Sequence, residues 1–232
     1  MILCIETATS VCSVALCDSN RVVSLRESII GKSHAELLTV FIDEIFKEKN
    51  ITAQELDAIA VSKGPGSYTG LRIGVSVAKG IVYASGVPLI GVETLTSMYY
   101  GFLETAKGRK YIDEKTLFCP VLDARRMEVY YCIYDSYGKK VKEIAAETIS
   151  ENSFTDISSD LMMVFFGNGA DKCSSVIKRN KQVFMKDFEL SASYMRAPAY
   201  KALNEENFEN TAYFEPFYLK DFLATRPKKK LF

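Results

Sequence analysis

The sequence contains few of the residues that enzymes use as general bases and transition-metal ligands. Its 232 residues include one histidine, His34, and no tryptophan. A catalytic or metal site that needs two imidazoles is therefore excluded within the chain. The six cysteines include no Cys-x-x-Cys pair, and Cys4, Cys12, Cys119 and Cys132 fall in predicted strands, where a thiol behaves as a small buried hydrophobe. We expect no metal or redox site among them.

The sequence also has no net charge and no long apolar run. Lys plus Arg and Asp plus Glu both total 29, which gives no overall attraction to nucleic acid or to a membrane surface. No apolar run approaches the ~20 residues that a membrane-spanning helix needs, and the first residues lack the basic region of a signal peptide. We therefore expect a cytoplasmic protein.

The spacing of apolar residues predicts two α/β lobes, over residues 1–106 and 107–232. In the first lobe, short joins between the first three strands indicate an antiparallel meander. The later strands each follow a helix and add in parallel, which gives a mixed sheet. In chain order the predicted elements are strands at 2–5, 11–17 and 22–27, a helix at 33–49 capped by Ser33, a strand at 56–61, a helix at 71–85, a strand at 88–92 and a helix at 94–106.

The second lobe repeats this order after a charged linker at 105–115. Its predicted elements are strands at 117–122, 129–134, 141–149 and 161–166 and helices at 171–179 and 191–203. Pro198 favours a break inside the last helix, and packing of that helix back onto the first lobe stays open. The basic run at 226–230 is typical of a solvated tail, with a phosphate contact as the alternative.

A glycine-rich turn joins the predicted strand at 56–61 to the helix at 71–85. It reads Ser62-Lys63-Gly64-Pro65-Gly66-Ser67-Tyr68-Thr69-Gly70. Glycines at such a turn let backbone amides approach an anion without interference from a Cβ atom. The spacing fits neither a Walker loop nor the dinucleotide-binding fingerprint. A tight strand-to-helix crossover without a ligand is the alternative interpretation.

Two predicted helices are more apolar than packing on one sheet requires. The helix at 33–49 is apolar over more than half of its circumference. The helix at 71–85 has only one narrow polar stripe, formed by Arg72, Ser76, Lys79 and Tyr83. Either the two helices bury against each other and the sheet, or they meet a second protein.

Segments spread over nearly the whole chain resemble the TsaB (YeaZ) family, bacterial subunits of the machinery that makes threonylcarbamoyladenosine in tRNA. The matching segments are 5–9, 33–38, 64–74, 123–130, 167–170 and 216–220. The resemblance implies an actin-like, sugar-kinase-like (ribonuclease H-like) α/β fold. In that fold two lobes, each a mixed β-sheet with helices, flank a cleft.

Nucleotide-binding proteins of this fold hold phosphates with the first hairpin and a glycine loop. The resemblance implies a vestigial nucleotide site at Glu6, Thr7, Thr9, Gly64, Gly66, Thr69 and Gly70. Glu6 stands where the family usually has Asp, so a metal-positioning role is in doubt, and a hydrogen-bonding end to the first strand is the alternative. We expect no cofactor, and ATP or ADP binding stays open as an alternative that no metal site supports.

The resemblance also implies that this chain is not the catalytic subunit. The catalytic relative, TsaD, has two metal-binding histidines four residues apart, at positions that correspond to Thr94 and Met98 here. Neither a hydroxyl nor a thioether replaces imidazole on a transition metal. We expect a noncatalytic scaffold or activator that dimerises with TsaD, with TsaE in a larger complex, for threonylcarbamoyl transfer to N6 of adenosine 37. Contact with tRNA is expected to be indirect.

In this family the two apolar helices form the dimer surface, with TsaD or with a second copy of the chain. The interface residues expected from their position away from the predicted core are Glu36, Val40, Asp43, Arg72, Ser76, Lys79 and Tyr83. The hairpin residues Arg125 and Arg126 are either solvated or contact tRNA phosphate or the partner. The zero net charge favours the partner over tRNA.

Two other functions have weaker support. A small-molecule kinase or ATPase of this fold would use the glycine turn, but the sequence places no Asp general base or magnesium ligand near it. A peptidase would need a histidine pair or a Gly-x-Ser-x-Gly elbow with a histidine, and Ser67 lies one residue out of place. His34 is better interpreted as a residue at a helix start that packs or hydrogen-bonds locally.

Overall fold

The computed structural model describes residues 1–29 and 34–220 and arranges them in two five-stranded sheets with helices. The first part of the chain contains β1 (Ile2–Glu6), β2 (Cys12–Cys17), β3 (Val22–Ser28), α1 (His34–Lys49), β4 (Ala58–Gly64), α2 (Tyr68–Ser85), β5 (Leu89–Glu93) and α3 (Thr94–Glu104). The rest contains α4 (Ala106–Arg109), β6 (Thr116–Asp123), β7 (Glu128–Asp135), β8 (Lys140–Thr148), β9 (Met162–Phe166), α5 (Ala170–Ser174), β10 (Gln182–Met185) and α6 (Arg196–Asn204).

The two sheets share one topology. The first has the strand order β3-β2-β1-β4-β5, and the second has the order β8-β7-β6-β9-β10. In both, the first three strands pair antiparallel, and the last two add in parallel at the other edge of the first strand. The predicted mixed sheets and the architectural repeat between the two halves are confirmed.

Several predicted elements differ from the structure around short segments. Helix α2 begins at Tyr68 instead of 71, because the Ser67 hydroxyl caps it by accepting a 3.3 Å hydrogen bond from the Gly70 amide. Helix α5 has five residues instead of the predicted nine. Strand β10 was not predicted, since its four residues are too few to show alternation.

The first sheet is covered on both faces. One face packs against α1 and α2 through side chains that include Ile5 and Val75. The other packs against α6 and the 3-10 turn before it through Met195 and Ala199. Pro198 lies in the first turn of α6, where no helical hydrogen bond is lost, so it does not break the helix. The last helix therefore lies on the sheet of the first lobe.

After α6, the chain runs along the first lobe as a segment that we call the C-terminal strap (residues 205–220). Glu209 N donates to Leu89 O at 2.8 Å, and Phe217 N donates to Lys63 O at 2.6 Å. Phe214 is 7% exposed and joins the core between the sheet, α1 and α2. The strap thus packs on the first lobe, although its position in the sequence groups it with the second.

Two sequence predictions, the Ser33 cap and the basic run at 226–230, lie outside the described residues. Within residues 1–29 and 34–220, no helix has both the length and the apolar character needed to cross a membrane.

Candidate functional site

The glycine turn between β4 and α2 packs tightly against the turn that follows β1. A Cβ atom added to Gly66 would lie 2.5 Å from Ala8 O, and one added to Gly70 would lie 2.1 Å from Thr7 O. Ser67 N donates a 2.6 Å hydrogen bond to Ala8 O. These glycines therefore make room for the chain's own backbone. The geometry favours the crossover interpretation over an open anion cradle.

The polar residues beside this turn are buried or engaged locally. Glu6 and Thr7 are both 0% exposed. Glu6 Oε1 accepts a 2.6 Å hydrogen bond from Ala8 N, while Oε2 and the Thr7 hydroxyl have no partner among the described residues. The Thr9 hydroxyl accepts from Val11 N at 3.2 Å. Glu6, Thr7, Gly66 and Gly70 thus meet around one turn, whereas a Cβ atom added to Gly64 would meet Phe217 O near the end of the chain's described part.

Burial determines the protonation of Glu6. Loss of solvent raises the pKa of this carboxyl to about 7, although the hydrogen bond from Ala8 N favours the charged form. A side chain enclosed in this way cannot reach a metal ion in an open cleft. The arrangement fits a hydrogen-bonding end to β1.

Thr94 and Met98, where the resemblance would place the histidines of TsaD, line no open space. Thr94 and Met98 lie one turn apart on α3, and both are buried. A depression lined by Met98, Thr9, Asn168 and other residues has ≈ 0 Å³ of space for a water-sized molecule. Nowhere in residues 1–29 and 34–220 are three His, Cys, Asp or Glu side chains grouped as metal ligands. The residues at these positions do not fit a transition metal.

Helices α1 and α2 leave one face uncovered in the described part of the chain. On α1, Val40 is 45% exposed, and on α2, Tyr83 is 90% exposed. A Cβ atom added to Gly80 would meet nothing within 4 Å, so another helix could approach closely there. The other predicted interface residues that are exposed on this face are Glu36, Asp43, Arg72 and Ser76. The structure thus brings six of the seven predicted interface residues to one surface.

The seventh, Lys79, is held by the C-terminal strap. Its Nζ donates to Ala212 O at 3.3 Å and to Phe214 O at 3.1 Å. Lys79 is therefore half-buried and engaged within the chain, which makes it less available to a partner than the other six residues. Arg72 is exposed, but its Nε donates to the Tyr218 hydroxyl at 3.1 Å. Sequence reasoning missed the strap because segment 216–220 matched the family without any periodicity that would place it.

The two side chains that a serine peptidase would need are engaged in the fold. His34 is 9% exposed, and its Nε2 lies 3.1 Å from Val11 O. The Ser67 hydroxyl caps α2, as described above. The geometry therefore gives no support to a peptidase.

Known proteins match this chain over most of its length. Residues 28–227 match the family model TsaD, tRNA N6-adenosine threonylcarbamoyltransferase. The chain is 27% identical over 233 residues to the tRNA threonylcarbamoyladenosine biosynthesis protein TsaB of Escherichia coli (strain K12), with 96% of each chain covered. It is 32% identical over 146 residues to the protein of the same name from Bacillus subtilis (strain 168), with 63% of this chain and 60% of that protein covered.

A solved structure shares the fold. The structure described as YeaZ from Pseudomonas aeruginosa superimposes with a TM-score of 0.78 at 22% identity, covering 94% of this chain and 99% of that one. Together with the paired mixed sheets, this likeness establishes a two-lobed actin-like α/β fold. The chain belongs to the family that the TsaD model describes and, within it, to the TsaB (YeaZ) group.

Proposed function

We propose that this protein is a noncatalytic subunit that pairs with TsaD and holds it in a state competent for threonylcarbamoyl transfer to N6 of adenosine 37 in tRNA. The observation that carries the proposal is the uncovered face of α1 and α2. The relatives that match this chain are named as tRNA threonylcarbamoyladenosine biosynthesis proteins, which indicates the pathway.

The α1–α2 surface has the composition of a protein interface. It combines exposed apolar side chains, Val40 and Tyr83, with two acidic side chains, Glu36 and Asp43. Apolar contacts would supply most of the affinity, whereas the charges would set register and partner choice. A stable pair would bury ~1,200–2,000 Å² in total. The same surface would serve self-association when TsaD is missing, and TsaE would join the heterodimer elsewhere.

We assign the chemistry to the partner, because the described residues group no three potential metal ligands. Thr94 and Met98 stand where the resemblance would place the imidazole ligands of TsaD, and both are buried. The nucleotide-binding kinase or ATPase alternative loses support for a separate reason. The turn at Thr7 and Ala8 occupies the space over the glycines, where phosphates would have to lie.

A reconstituted transfer reaction tests this function. Purified TsaD from the same bacterium, tRNA and threonylcarbamoyl-adenylate are combined with and without this chain, and the modified nucleoside is measured by mass spectrometry. We expect modification only when TsaD and this chain are both present, and we expect Thr94→Ala to preserve it. Modification by this chain without TsaD, or full TsaD activity in its absence, would overturn the proposal.

A further inference from the structure

Two arginines at the tip of the β6–β7 hairpin have no ionic partner among the residues that the structure describes. Arg125 and Arg126 are exposed, and neither makes a hydrogen bond or ion pair through its side chain in the described part of the chain. By contrast, Arg26 and Arg196 each pair with a glutamate at 2.9 Å or less. The fold therefore uses other arginines for internal ion pairs but leaves these two available.

The carboxylates of the same hairpin are already neutralised. Asp123 Oδ1 lies 2.7 Å from the Nζ of Lys172, whose side chain is only 12% exposed. Glu128, at the start of β7, pairs with Lys220 of the strap. The two arginines and these two lysines thus lie near two carboxylates, which leaves an excess of two positive charges at the tip. The arginines are not needed to balance the hairpin's own charge.

The hairpin holds the backbone of its two arginines in a fixed conformation. Arg125 and Arg126 have φ values of +67° and +46°, a left-handed backbone that costs a non-glycine residue about 1 kcal/mol or more. Arg125 N donates to Asp123 Oδ1 at 2.6 Å, and Asp123 N donates to Asn168 Oδ1 at 2.9 Å. Lys172 also donates to Glu128 O at 2.9 Å. The tip is therefore anchored to the turn before α5.

The surroundings of the tip fit a phosphate backbone better than a protein surface. Specific protein interfaces have an apolar centre, but the only large apolar side chain exposed between residues 123 and 128 is Met127, at 39%. Phosphate contacts require only donors and positive charge.

We propose that Arg125 and Arg126 form an RNA phosphate-binding patch on this subunit. The patch is inferred from the hairpin geometry, whereas the choice of tRNA as its ligand rests on the proposed function. A chain with no net charge can contact RNA in this way, because the excess charge is local. The inference revises the expectation that contact with tRNA is only indirect.

Salt-dependent binding of tRNA to the complex with TsaD tests the patch. Light scattering first verifies three complexes with TsaD, which contain the wild-type chain, the Arg125→Ala/Arg126→Ala variant or the Arg109→Ala variant. The affinity of each complex for tRNA is then measured by filter binding from 50 to 300 mM KCl. Arg109 is a matched control, because it is exposed, lacks an ionic partner in the described part of the chain, and precedes β6. The hairpin tip lies at the other end of β6, roughly 25 Å from the start of that strand.

We expect the double variant to bind tRNA about tenfold more weakly at 100 mM salt and to flatten the slope of log K against log salt by about 1.5. The Arg109→Ala complex should match wild type. An intact complex whose affinity and slope are unchanged by the double variant would overturn the patch and leave the proposed function standing. Failure of the wild-type chain to bind TsaD would instead count against the proposed function, and the same titration on this chain alone would then test the patch.

Discussion

At the scale of single residues, the buried carboxyl of Glu6 links stability to pH. Its pKa of about 7 in the folded protein lies above its ordinary value of 4.5, so the folded state binds more protons than the unfolded state between these values. The contribution of this carboxyl to stability is present at low pH and is lost as pH rises through about 7. The cause is the cost of burying the charged form.

We therefore expect Glu6→Gln to gain stability relative to wild type as pH rises from about 4.5 to 7.5, by roughly 3 kcal/mol in all. Glutamine can still accept the hydrogen bond from Ala8 N but does not titrate. Urea denaturation at several pH values measures the difference. Glu189→Gln, at an exposed carboxyl, serves as the control. A Glu6→Gln difference that does not change with pH would show that Glu6 stays hydrated.

Two glycines of α2 form a matched pair for testing the contact between this helix and the turn after β1. Gly70→Ala would drive a Cβ atom into Thr7 O and should cost about 2–3 kcal/mol. Gly80→Ala places its methyl group in open space and should stabilise the helix by about 0.5–1 kcal/mol. Chemical denaturation measures both variants. Equal stability of the two would mean that the turn after β1 does not contact the helix.

At the scale of elements, the sequence predicts well where strands and helices lie along the chain. It predicts poorly which segments pack against each other. Short joins and β-branched runs place β1, β2 and β3 within about a residue. The glycine spacing at 64–74 correctly indicates a close approach, but it does not tell whether a phosphate or the chain's own backbone approaches. That distinction depends on Thr7 and Ala8, which lie more than fifty residues away.

The C-terminal strap is the element that periodicity could not place. It contains no regular helix or strand, and its position is fixed by a few contacts, chiefly buried Phe214 and the carbonyls that receive Lys79 Nζ. The same contacts explain why Lys79 is a poor choice for an interface variant. Substituting it would release the strap as well as change the surface.

Removing the Phe214 ring should detach the strap. We expect Phe214→Ala to cost about 3–4 kcal/mol and to speed hydrogen exchange at the Glu209 and Phe217 amides, which bond to Leu89 O and Lys63 O. Exchange measured by mass spectrometry reports on both amides. Tyr213→Ala, which removes a neighbouring ring that is 84% exposed, should change neither quantity. Unchanged exchange in Phe214→Ala would show that the backbone hydrogen bonds alone hold the strap.

At the scale of the whole molecule, two similar lobes have unequal roles. The first sheet is covered on one face by α6 and on the other by α1 and α2, whose outer side stays open in the described residues. The second sheet carries the hairpin with Arg125 and Arg126. The depression beside Met98 has no room for a ligand, and we propose that the functional contacts lie on outer surfaces.

Size-exclusion chromatography with light scattering tests whether the open face of α1 and α2 binds TsaD. Val40→Asp/Tyr83→Ala changes only exposed side chains of that face and leaves the strap intact, while Tyr137→Ala changes an exposed ring on the second lobe. We predict a one-to-one complex for wild type and Tyr137→Ala, and at least tenfold weaker association for the double variant. A complex that survives the double variant unchanged, or no complex with wild type at micromolar concentration, would show that this face does not bind TsaD.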